Sequence, residues 1–134
     1  MKINLSDLNP GTFFVWPGEP EDSKNGVTVR ALTSAEAKRI NAATLKSRRT
    51  RFSKKGIQYE ETVYNEAKKE EMYADYSIVE WTGVDGDDDK PLKCTSENKA
   101  KIMNEHPQLM TFIMDCIDSI SELQETKDKE SEKN

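Results

Sequence analysis

Residues 27–40 read VTVRALTSAEAKRI, and the change of pattern inside that stretch decides the fold class. Val27, Thr28, Val29, Arg30, Ala31 and Leu32 are β-branched and alternating, which predicts a strand. Thr33-Ser34-Ala35-Glu36 then has the spacing of a capping box, in which Thr33 accepts from the Glu36 N–H and Glu36 reaches back. Leu32 and Ala37 stand at the positions of a hydrophobic staple around that cap. A helix from about 34 to 45 follows, with Ala37, Ile40 and Ala43 on a thin apolar side. A strand that hands over directly to a capped helix marks a mixed α+β chain.

Toward the N-terminus, Phe13 to Trp16 lie between Pro10-Gly11 and Pro17-Gly18, so a short strand bounded by turns is expected, with a loop from Glu19 to Gly26. Toward the C-terminus, residues 46–55, KSRRTRFSKK, form a basic run stopped by Gly56; segment 46–56 reads as a solvated linker. From Tyr59 to about Glu80 the composition is rich in Glu, Lys and Ala and predicts a second helix. Val63, Ala67, Ala74 and Ile78 make one stripe on it, with Tyr64, Met72, Tyr76 and Val79 alongside. Trp81 closes that helix and Gly83 stops it. After an acidic loop at 84–93, Thr95 or Ser96 caps a short helix over about 96–105. Pro107 suits the first turn of a last helix, about 107–123, where its missing N–H costs nothing. Leu109, Ile113, Cys116, Ile117, Ile120 and Leu123 form its apolar stripe, widened by Met110, Phe112 and Met114. Residues 124–134 lack any apolar side chain and read as a disordered polar tail. The expected architecture is mainly helical α+β: a short N-terminal strand or hairpin, then about four helices, in one small domain over 1–123.

The chain has 134 residues, 34% of them hydrophobic and 34% charged, with a net charge of −5. This acidity argues against nucleic acid as a partner of the whole surface. No apolar run approaches the ~20 residues that span a bilayer, and the N-terminus has no apolar signal core. Cys94 and Cys116 are too few for a disulfide framework and fit reduced thiols in a cytoplasmic protein.

Chemistry finds little support. A calcium loop starting at Asp85 places Asp87 and Asp89 correctly, but Lys90 stands where glycine is needed and Ser96 where glutamate is needed. His106 and the two cysteines do not supply a zinc set. No serine sits in a nucleophile elbow, and Gly83 and Gly86 make no phosphate loop. No catalytic residue, metal site or cofactor is therefore expected. Two surfaces are left: the Leu109–Ile117 stripe, whose methionines serve as core or as an adaptable partner surface, and the basic run, where Arg48, Arg49, Arg51, Lys54 and Lys55 around Phe52 can meet phosphates.

The order of signals also carries a resemblance. The strand and cap of VRALTSAEAKRI, Trp81-Thr82-Gly83, the loop from Asp85 to Lys90, Pro91-Leu92, Thr95 to Lys99, and the helix from Leu109 to Ile120 together resemble the small tail-assembly chaperones of long-tailed bacteriophages and prophages. The resemblance covers about residues 27–120. It implies a non-enzymatic protein of the host bacterial cytoplasm that binds the tape-measure protein. Such a protein keeps its client soluble while tail-tube protein assembles around it, and is absent from the mature virion. Homo-oligomers and a longer frameshifted product are compatible with this class. On that reading the contact residues are Trp81, Leu109, Met110, Ile113, Met114 and Ile117. The alternative is a small nucleic-acid-binding or regulatory protein using residues 46–55.

Overall fold

The computed structural model describes residues 10–132. Its elements run β1 (Thr12–Val15), β2 (Gly26–Val29), α1 (Ser34–Thr44), β3 (Leu45–Phe52), β4 (Gln58–Tyr64), α2 (Glu66–Ser77), β5 (Ile78–Trp81), α3 (Ser96–Glu105) and α4 (Pro107–Glu132). They fall into two compact units, one of Met1–Ala31 with Ala74–Asn134 and the other of Leu32–Tyr73.

The first unit is built on an antiparallel sheet in the order β1-β2-β5. Val27 and Val29 are fully buried on the central strand, as the alternation predicts. Their partners across the ladder are Trp81 and Ile78, which stand three residues apart on β5. In a regular strand that spacing sends two side chains to opposite faces. A register shift beside Thr28 and Val29 inserts one extra β5 residue, so both side chains reach the same core. Ile102 of α3 and Ile113, Cys116 and Ile117 of α4 complete that core, with α4 packed on α3 and on β2.

The second unit holds α1 and a separate antiparallel hairpin, β3–β4. The α1 cap is as expected: Thr33 Oγ1 accepts from the Glu36 N–H at 3.2 Å. The Glu36 carboxylate, however, takes the Arg39 guanidinium at 2.8 Å. Ile40 and Thr44 are the buried residues of this helix, and Thr44 Oγ1 donates to the Ile40 carbonyl at 2.7 Å.

Two expectations are corrected. The basic run is not a linker: Leu45–Phe52 is a strand paired with Gln58–Tyr64. The second helix starts at Glu66 rather than Tyr59 and ends at Ser77, because Ile78-Val79-Glu80-Trp81 joins the sheet. Tyr59, Thr62, Val63 and Tyr64 are aromatic and β-branched residues, which suit a pleated pair better than a helix. Helix α4 is traced to Glu132, through residues 124–132 that contain no Gly or Pro. Residues 133 and 134 lie outside the described part.

Candidate functional site

The predicted contact residues separate by depth. Trp81, Ile113 and Ile117 are 5%, 0% and 2% exposed, which makes them core side chains in this fold. Leu109, Met110 and Met114 are half-buried at the surface of α4. Met110 and Met114 stand one helical turn apart and so share one edge of the buried stripe. On α4, Phe112 meets Trp16 at 5.9 Å between ring centroids and 49° between planes. The sequence reading missed this pair, whose only signal was the turn-bounded FFVWPG segment.

Both indoles of this unit hold the segment after β5. Trp81 Nε1 donates to the Leu92 carbonyl at 2.8 Å, and Trp16 Nε1 donates to the Thr82 carbonyl at 2.6 Å. Gly83 follows with φ +76°, and an added Cβ there would meet Asn25 at 2.6 Å. Gly83 therefore does turn the chain through the left-handed region, but after a strand and not after a helix. The acidic stretch folds back as a small turn. Asp85 bridges to Pro91, the Gly86 N–H donates to the Lys90 carbonyl at 2.9 Å, and Asp89 takes φ +59°. Asp87, Asp88 and Asp89 are exposed, and Asp88 Oδ1 accepts from the Lys90 N–H at 3.2 Å. Among the described residues no group of three or more His, Cys, Asp or Glu is placed to hold a metal ion.

Thr95, not Ser96, caps α3: its hydroxyl accepts from the Asn98 N–H at 3.2 Å. Ser96 instead donates to Asp75 Oδ1 at 2.7 Å. Lys99 is 8% exposed, and its Nζ reaches the Asp75 carbonyl at 2.9 Å and Oδ1 at 3.2 Å. Ser96 and Lys99 thus tie the first turn of α3 to the end of α2. His106 is the exposed C-cap of α3, and its N–H donates to the Ile102 carbonyl at 2.9 Å. Burial, with the Asp115 carboxylate adding to it, pushes the Cys116 thiol up to about 11. Burial also raises Cys94. Both thiols are free and, being raised, stay protonated near neutral pH, which disfavours them as nucleophiles.

The second unit presents the basic hairpin. Its turn is closed by the Gly56 N–H on the Ser53 carbonyl at 2.9 Å and the Ser53 N–H on the Ile57 carbonyl at 2.8 Å, with Gly56 at φ +78°. Arg48, Arg49, Arg51, Lys54 and Lys55 are all exposed on it. Arg51 pairs with Glu61, and Arg48 lies 4.0 Å from Glu60. Phe52 and Ile57 near the tip are 67% and 65% exposed. At its foot a cleft is lined by Lys38 and Asn41 of α1 with Arg48 and Tyr64 of the hairpin. No helix among the described residues is long and apolar enough to cross a membrane.

A family model described as YdaY prophage protein matches residues 27–134. No curated protein matches the chain. No solved structure matches it either.

Proposed function

The chain belongs to the YdaY prophage protein family, and from that premise we propose that it is a non-enzymatic assembly chaperone that binds a tape-measure protein. It keeps that long helical client soluble while tail-tube subunits assemble around it, and it leaves before the virion matures. The observation that carries the reading is the α4 edge. Leu109, Met110 and Met114 remain half-exposed beside a stripe whose inner members, Ile113 and Ile117, are sealed in the core. Methionine side chains are flexible and polarizable, so such an edge can follow the varied apolar stripes of a client helix. The buried members keep α4 rigid behind it. Prophage origin supports the reading, because a prophage is where a tail-assembly client is made.

The test is co-expression of the chain with the tape-measure protein of the same prophage, scoring client solubility. Met110→Asp with Met114→Asp is expected to abolish solubilisation while leaving the circular dichroism spectrum and the denaturation midpoint close to those of the parent chain. A client that stays soluble with the double variant, or is soluble with no chaperone at all, overturns the proposal.

A further inference from the structure

The β3–β4 hairpin plays no part in that reading, and its chemistry is of another kind. We propose that it is a ribbon for double-stranded DNA, entering the major groove edge-on with cations directed at both groove walls. Between Leu45 and Tyr64 the chain carries six Lys and Arg against two Glu, although the whole protein is acidic at −5. Local surface charge, not net charge, sets phosphate contacts.

The register distributes that charge. Arg48 faces Thr62, Arg49 faces Glu61, Arg51 faces Tyr59 and Phe52 faces Gln58. Neighbouring residues of a strand point to opposite faces. Arg48 and Phe52 therefore share one face, and Arg49, Arg51 and Tyr59 share the other. A ribbon with an arginine and an aromatic ring on each face matches a partner that presents phosphate on two sides. The major groove does so, and at about 12 Å wide it admits a two-stranded ribbon. Lys54 and Lys55 extend the charge around the turn, and Lys38 beside Arg48 continues it into the cleft at the foot. The competing carboxylates are weak rivals. The Arg48–Glu60 and Arg51–Glu61 pairs are solvent-exposed, and such pairs exchange readily for phosphate. Arg49, Lys54 and Lys55 make no ion pair among the described residues. Phe52 and Ile57 at the tip offer apolar contact of the kind that thymine methyl groups accept.

Fluorescence anisotropy of the full chain with a labelled DNA duplex of about 20 base pairs, long enough to present two turns of groove, tests the proposal. Contact with about four phosphates gives a slope of log affinity on log salt near −3.6, so binding weakens roughly 150-fold between 50 and 200 mM salt. Replacing Arg49, Lys54 and Lys55 with Gln is expected to weaken binding at least tenfold, on the order of what losing three phosphate contacts implies. These side chains make no ion pair among the described residues, so circular dichroism should stay unchanged. Glu60→Gln with Glu61→Gln is expected to tighten binding. The proposal is overturned by no duplex binding at low salt, or by equal binding of the triple variant. It is also overturned by tighter binding of a single-stranded oligonucleotide or of polyglutamate than of duplex. Client solubilisation reads the α4 edge separately, so failure of one proposal leaves the other standing.

Discussion

The β1–β2–β5 sheet and the β3–β4 hairpin are both antiparallel, yet different forces hold them. The sheet's strands are four residues each, but they bury Val27, Val29, Ile78 and Trp81, with α4 packed on β2. The hairpin's strands are eight and seven residues long and bury none. Its stability comes from the backbone ladder, cross-strand neighbours and the Ser53–Gly56 turn. Short strands suffice where apolar area leaves water; long strands are needed where it does not. The same contrast assigns freedom: the sheet is committed to its core, whereas both faces of the hairpin remain available to a partner.

Equal truncations in the two regions put that contrast at risk. Ile113→Ala in the core is expected to cost about 2–5 kcal/mol, against about 0.2–1 kcal/mol for Tyr59→Ala on the hairpin, both read from urea denaturation. Comparable costs would mean that the hairpin hides a core of its own. A polar contact gives the next largest effect. Lys99→Met withdraws the ammonium from Asp75 and is expected to lower stability by about 1–3 kcal/mol, as a lower denaturation midpoint with unchanged slope. No loss would show that apolar packing of the lysine stem, which methionine keeps, is what holds α3. The smallest effect belongs to the hairpin's ion pair. A double-mutant cycle on Arg51 and Glu61 should give a coupling under about 1 kcal/mol that shrinks further as salt rises. A coupling that resists salt would place that pair out of water and weaken the case for an open ribbon.

What was legible in the sequence follows the same division. The Val27–Val29 alternation, the Thr33 cap, Pro107 at the start of α4 and the stripe from Leu109 to Ile117 are local signals whose causes lie within a few residues, and each lies in an element of the expected type, although the strand ends at Val29 rather than Leu32. The hairpin was invisible because a strand without a buried face has no apolar period to read. Arg and Lys carry no strong preference for strand, and the Glu and Lys after Tyr59 imitate a helix. The β-branched and aromatic run Tyr59, Thr62, Val63, Tyr64 behind Gly56 was the available clue. The spacing of α4 marks the helix face that carries the buried Ile113, Cys116 and Ile117, but it cannot tell which members of that stripe face inward, because that depends on where β2 lies. Trp81 was placed at the end of a helix because the bulge that turns it into the core exists only once β2 and β5 pair.

The two tryptophans have a consequence for spectroscopy. Trp16 and Trp81 are the chain's only indoles, and both belong to the unit that carries the three-stranded sheet, each hydrogen-bonded to the segment that follows β5. Indole emission therefore records the opening of that unit and its loop. The hairpin unit holds tyrosine and phenylalanine but no indole, so it melts in silence at that wavelength. Paired with far-ultraviolet dichroism, which sees both units, tryptophan fluorescence gives a direct reading of whether the two unfold together or in turn.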